Sequence, residues 1–313
     1  MFDALAVIIP FILTGFFVPK WQAVCKKSYA TPPGKKGPLG GGWLMAGMVA
    51  LLLFVITFIP PQHLPPHLNM AIVAQFSLLS LLAIVLASFY RQTDKALTPP
   101  SRFVQIMPFV FVGIGAFFMP PLLAELSYLP ERALYMVIWL VIMRAFTKAD
   151  QLDGLAPASM IVLCFGLALL LKALAVPALI LAGVCMGFLR FNRPEAILLL
   201  GASGRRWLGF MAGGLWLLAA SAVPFEGQIF ALLILLLPLL VNNLFTTTPW
   251  HIRLQELGLS KGQVLARAVL AQIIMLFIAV VAFVSAQSAW VFLVAAFALS
   301  LLYLSYIRWL ERG

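Results

Sequence analysis

Residues 264–286 read VLARAVLAQIIMLFIAVVAFVSA, and residues 289–307 read AWVFLVAAFALSLLYLSYI. One charge, Arg267, interrupts the first run and none interrupts the second. Each run is long enough to carry a helix across roughly 30 Å of hydrocarbon. Two residues between them are enough for a tight reversal and nothing more. Working outward, similar runs fall near 4–18, 44–60, 69–89, 103–119, 131–147, 155–171, 176–189, 207–223 and 228–245. The sequence therefore predicts an all-α integral membrane protein of about 11 transmembrane helices. The count falls to 10 if 155–189 is cut differently around Lys172 and Pro177.

Composition agrees. Of 313 residues, 63% are hydrophobic and 10% charged, and the mean hydropathy is +1.06. Soluble chains hold roughly 45–50% apolar and about 25% charged residues. No polar segment exceeds about 25 residues, so residues 1–313 read as a single polytopic membrane domain. Met1 to Val18 is apolar with only Asp3 and lacks a leading basic stretch, so it reads as a retained span. Cys25, Cys164 and Cys185 are far apart and define neither a disulfide framework nor a metal spacing.

Placing the N-terminus outside puts 19–43, 90–102, 148–154, 190–206, 246–263 and the C-terminal tail inside. Nineteen of the 21 basic residues then lie on that side, with Arg132 and Lys172 the exceptions. The positive-inside rule converts this asymmetry into N-out, C-in, with the functional loops on the cytoplasmic face. The net charge of +11 is accounted for by topology and anionic lipid. Nucleic acid is excluded as a partner, since the basic residues are scattered and carry no binding motif. External connections such as Pro60–Pro66 and Pro120-Pro121 are short and proline-rich, as linkers are.

The chemistry-bearing residues sit in the inside loops. Lys35 and Lys36 precede Gly37-Pro38-Leu39-Gly40-Gly41-Gly42, a pattern that can present backbone N–H groups and ammonium charge to a phosphate. It also fits a flexible basic loop. Asp150 and Asp153, three apart, suit a Mg²⁺ bridged to phosphate oxygens, or a helix cap or salt link. His251 is the one histidine on the inner side, because His63 and His67 are external.

Taken in order, these loops resemble the polyprenyl-phosphate N-acetylhexosamine-1-phosphate transferases (glycosyltransferase family 4). That family includes the phospho-MurNAc-pentapeptide translocase and the UDP-GlcNAc:undecaprenyl-phosphate GlcNAc-1-phosphate transferase. Arg144 to Ala156 is similar to N-A-x-N-x-x-D-G-x-D-G-L-A, with Asp150, Asp153, Gly154, Leu155 and Ala156 in register. Lys35 to Gly42 resembles the segment after the family's first helix. Gly187-Phe-Leu-Arg-Phe-Asn192 and the Gly201 to Gly209 stretch resemble G-F-L-x-x-N-x-x-P-A-x-I-F-x-G-D-x-G-S-x-x-L-G. Arg253 to Ser260 resembles the end of H-x-H-H-R-L-x-x-L-G-L-S.

The resemblance implies ten or eleven helices, a bacterial inner-membrane location, and Mg²⁺-dependent transfer of a sugar-1-phosphate from a UDP-sugar to undecaprenyl phosphate, releasing UMP. The departures are equally specific. The adjacent aspartate pair after the third helix is reduced to Asp94, the Gly-Asp that ligates Mg²⁺ is Gly201-Ala202, and the histidine cluster is reduced to His251. Loss of carboxylates weakens a hard-cation site. Arg91, Arg144, Arg205 and Arg206 supply cations instead, and guanidinium holds phosphate without metal.

The sequence therefore points first to a catalytically degraded member, a pseudoenzyme that binds polyprenyl phosphate, a membrane protein partner or a second copy in envelope polysaccharide assembly. Phosphate contacts fall to Lys35, Lys36, Arg91, Asn192, Arg205, Arg206, His251 and Arg253, and no cofactor is needed. The rival is an active transferase using Asp94, Asp150 and Asp153, with Mg²⁺ on Asp150 and Asp153. A transporter ranks last, because no span has a carboxylate near its centre.

Overall fold

In a computed structural model, residues 2–59, 64–66, 68–122, 127–223, 227–244 and 249–310 are described. Among them no strand occurs, and the helices are α1 (Phe2–Ser28), α2 (Gly41–Thr57), α3 (Met70–Phe89), α4 (Arg91–Ala96), α5 (Arg102–Phe117), α6 (Tyr128–Ala149), α7 (Leu155–Leu170), α8 (Ala175–Asn192), α9 (Gly201–Ser221), α10 (Gln228–Leu244), α11 (Trp250–Glu256), α12 (Lys261–Val284) and α13 (Ala289–Leu310). Five helical segments, Phe2–Ser28, Met70–Phe89, Lys172–Asn192, Lys261–Val284 and Ala286–Trp309, are long and apolar enough to cross a membrane. His63 and His67 lie outside the described residues.

Two features differ from the sequence reading, the length of the first helix and two short loop helices, while the expected division of 155–189 into two helices is observed. The first helix runs on through Lys20, Lys26 and Lys27 to Ser28, well beyond residue 18. Trp21 donates its indole N–H to the Gly40 carbonyl at 2.9 Å and Gln22 donates to the Ile197 carbonyl at 2.8 Å, so tertiary contacts hold the extension. Lysines in its last turn also complement the negative end of the helix dipole. The run 155–189 divides at Leu171, where a 3-10 turn over Lys172–Leu174 precedes α8. Pro177 then falls in the first turn of α8, where an N–H has no intrahelical partner to lose. Two short helices, α4 and α11, lie inside loops that carry no helical periodicity of their own.

The bundle has a wrapped interior and an apolar exterior. α9 packs against α2, α3 and α6, and α8 packs against α1 and α7. Small residues permit the approach: a Cβ on Gly42 would come within 2.0 Å of the Gly204 Cα, so α2 and α9 cross backbone to backbone there. Trp139 of α6 donates its indole N–H to the Phe210 carbonyl of α9 at 2.8 Å, satisfying a buried donor. Outward, Ile12, Phe16, Phe277, Val281, Val294 and Leu302 are exposed. Water would penalise such a belt, whereas lipid solvates it, and close packing of small residues is how helices associate there. Cys25, Cys164 and Cys185 are free, buried thiols.

Candidate functional site

The loops that carry the candidate residues meet at one end of the bundle. The Gly41 and Gly42 N–H groups, which begin α2, donate to the carbonyls of Leu199 and Leu200 at 2.8 and 3.1 Å, and Leu199 donates to Pro38 at 2.9 Å. The glycine-rich loop is thus a backbone clamp on the segment before α9. Those two N–H groups are spent on protein carbonyls and are not free for phosphate.

Asp94 stands at the centre of the second junction. It is fully buried on α4 and reaches across to the N-terminus of α9. Its Oδ1 accepts from the Ala202 N–H at 2.6 Å, and its Oδ2 accepts from the Ser203 N–H at 3.1 Å and from the Ser203 hydroxyl. Gly201 has φ +82, and a Cβ there would sit 2.8 Å from Asp94 Oδ1, so glycine lets the carboxylate approach. This is an N-cap supplied from 108 residues away, with a negative charge on the positive end of the helix. Burial raises the Asp94 pKa, while Ser203, Ala202 and the charge of Arg205 oppose the rise.

Asp153 is equally committed. Lys35 Nζ lies 2.7 Å from both of its oxygens, with Asp153 6% and Lys35 32% exposed. One residue on, the Gly154 N–H donates to Asn192 Oδ1 at 3.1 Å, and Asn192 Nδ2 donates to the Leu198 carbonyl at 3.0 Å. Asn192 therefore ties the α6–α7 loop to the stretch before α9. Lys36 makes a 2.7 Å pair with Glu195 on the exposed rim.

Asp150 is the acid left over. It lies beside a cleft of about 410 Å³ lined also by Leu39, Thr93, Asp94, Gly201 and Arg205. Its crowded position raises its pKa to about 7, chiefly by burial, with Asp153 and Asp94 adding to the rise and Arg205 and Lys35 opposing it. Part of the side chain still reaches solvent. Arg205, on the first turns of α9, has a buried Nε with no hydrogen-bond partner among the described residues.

Of the other cations, Arg206 lies 5.3 Å from the Tyr90 ring. Arg91 lies 6.0 Å from the Trp43 ring, and it opposes the rise that burial imposes on the Tyr29 hydroxyl pKa. His251 and Arg253 are on α11 and do not line the cleft. His251 is fully buried with neither ring nitrogen partnered among the described residues, and burial lowers its pKa to about 4. Sequence reasoning missed Ser203 and Glu195. The signal for Ser203 was a small-residue helix start, Gly201-Ala202-Ser203, in a chain with one unexplained aspartate upstream.

The donor set does not fit Mg²⁺ as placed. Among the described residues, no three His, Cys, Asp or Glu side chains converge to hold a metal. Asp94 spends both oxygens on three donors and Asp153 spends both on an ammonium, which leaves Asp150 alone, and hard cations take several oxygens.

An all-helical membrane bundle whose end loops bring Asp94, Asp150 and Arg205 to one cleft is the class these features define. The family model described as glycosyl transferase family 4 matches residues 43–220, and the chain belongs to that family. It is similar to the phospho-N-acetylmuramoyl-pentapeptide-transferase of Chlamydia trachomatis serovar L2, 31% identical over 150 residues that make up 42% of this chain and 45% of the relative. The protein of the same name from Chlamydia muridarum is 37% identical over 93 residues, 26% of this chain and 28% of the relative. The chain thus spans less than half the length of the curated relatives it matches.

Proposed function

We propose that this protein is a divergent family member that binds a polyprenyl phosphate, with undecaprenyl phosphate the expected lipid, and serves as a binding or scaffold component in bacterial envelope polysaccharide assembly. Eleven spans, N-out and C-in, form one domain in the inner membrane and place the cleft on the cytoplasmic face. One observation carries the reading: Arg205 faces the cleft with a buried Nε that has no partner among the described residues, while two of the three candidate acids, Asp94 and Asp153, are engaged by protein donors. A guanidinium can take a phosphate bidentately and needs no metal to do so. It neither deprotonates a nucleophile nor clamps a leaving group as a metal does.

A second reading, active transfer of a sugar-1-phosphate from a UDP-sugar with Mg²⁺, is favoured by Asp150 alone. A carboxyl that titrates near 7 beside a cleft can exchange a proton at working pH. The test is UMP release from a panel of UDP-sugars with undecaprenyl phosphate and Mg²⁺ in nanodiscs. The binding reading expects no release above a protein-free control. Mg²⁺-dependent release that Asp150→Asn and Asp153→Asn each abolish would overturn it.

A further inference from the structure

A second cavity lies between helices of the bundle, separate from the cleft that Asp94, Asp150 and Arg205 line. A cavity of about 70 Å³ opens between α7, α10, α12 and α13, with Trp250 of α11 at one end. Its walls are mostly apolar, among them Leu239, Met275 and Leu299. Three polar residues, Gln272, Ser300 and Tyr303, break the pattern, and Ser300 spends its hydroxyl on the Ala296 carbonyl at 2.9 Å. Gln272, midway along α12 and 6% exposed, donates through Nε2 to Ser159 Oγ at 2.7 Å, but its buried Oε1 has no partner among the described residues. Tyr303 of α13 has a buried hydroxyl that is also without a partner among the described residues.

A polar atom that is both buried and unpaired is costly. Here one unpaired acceptor and one unpaired hydroxyl line a single space. The cavity is several times the roughly 10–15 Å³ that a single water requires. Among the described residues no acidic or basic side chain lines it, so these offer nothing to balance a phosphate or an ammonium.

We infer that this cavity is a binding site for the neutral hydroxyl group of an amphiphile, a lipid alcohol. The hydroxyl donates to Gln272 Oε1 and accepts from the Tyr303 hydroxyl, and the first methylenes lie against Met275 and Leu299. Leu155, two residues beyond Asp153, forms part of the wall, so an occupant would touch the helix that begins at the charged cleft. The assignment is independent of the function proposed for that cleft.

The test uses the full chain in nanodiscs and two photoreactive probes, a diazirine-bearing octanol and the chain-matched diazirine-bearing octane without the hydroxyl. Irradiation and peptide mapping should place the alcohol on the segments that carry Met275 and Leu299, and unlabelled octanol should compete it away. Tyr303→Phe keeps the ring and removes only the hydroxyl. It should lower alcohol labelling about fivefold, the equilibrium weight of losing one neutral hydrogen bond, and leave octane labelling unchanged. Gln272→Leu should act in the same direction. Equal labelling by octane and octanol in the unaltered chain, or alcohol labelling indifferent to Tyr303→Phe, would overturn the site. Absence of label on these segments would overturn it too and mean ordered water only.

Discussion

Lys35 and Lys36 are neighbours, and each holds a carboxylate at 2.7 Å, yet they do different work. The Lys35–Asp153 pair sits where the α1–α2 and α6–α7 loops meet, with Asp153 buried. The Lys36–Glu195 pair lies on the rim, 70% and 75% exposed. Equal distances conceal unequal surroundings. In water the attraction is screened and offset by side-chain entropy, whereas a buried carboxylate that loses its ammonium is left uncompensated. The α4–α9 junction around Asp94 stands further along the same axis, because its carboxylate is fully buried and satisfies three donors at once. Burial, more than contact distance, ranks the three carboxylates.

The ranking can be broken experimentally, and Asp94 should give the largest effect. Asp94→Ala leaves the Ala202 and Ser203 N–H groups and the Ser203 hydroxyl unpaired, and should cost about 3 kcal/mol or more. Thermal melting in nanodiscs would check it, and a melting point equal to that of the unaltered chain would remove Asp94 from its role as the α9 cap. Asp153→Asn comes next, at roughly 1–3 kcal/mol, reduced from the fully buried case because Lys35 is a third exposed. A double-mutant cycle with Lys35→Met should return a coupling of similar size, and additivity of the two changes would show that the pair does not interact.

Asp150 should act through pH. Its folded-state pKa of about 7 lies above the ordinary 3.8, so the folded chain holds this proton more tightly than the unfolded chain does. Its contribution to stability is complete below about pH 4 and is lost as pH rises through 7. Asp150→Asn should therefore flatten the fall in melting temperature between pH 5 and pH 8. An unchanged slope in that variant would assign the pH dependence to another group. The smallest effect belongs to the rim: Lys36→Ala and Glu195→Ala should leave melting unchanged within error at physiological salt.

Much of the helical order was legible because apolar runs of membrane length are the strongest signal a sequence carries. Runs such as 69–89 and 264–286 correspond to helices within three residues at each end, whereas α1 outruns its apolar stretch because Trp21 and Gln22 are held by residues far along the chain. The candidate residues were legible as types and poorly legible as partners. Nothing local to Tyr90-Arg91-Gln92-Thr93-Asp94 reveals that this aspartate caps a helix 108 residues later. The glycines after Lys36 read as a phosphate cradle or a flexible loop, and their N–H groups are instead engaged by Leu199 and Leu200. The polar pair Gln272 and Tyr303 was hidden inside apolar spans, where a hydropathy reading passes over single polar residues.

Arginine, rather than a metal, is proposed to hold a phosphate lipid in the cleft. Native mass spectrometry of the protein, extracted gently from its own host, tests it most directly. The account predicts a polyprenyl phosphate adduct that survives a chelator and is lost in Arg205→Gln. A stoichiometric protein partner with no such lipid, or an adduct that requires Mg²⁺ and ignores Arg205→Gln, would contradict it.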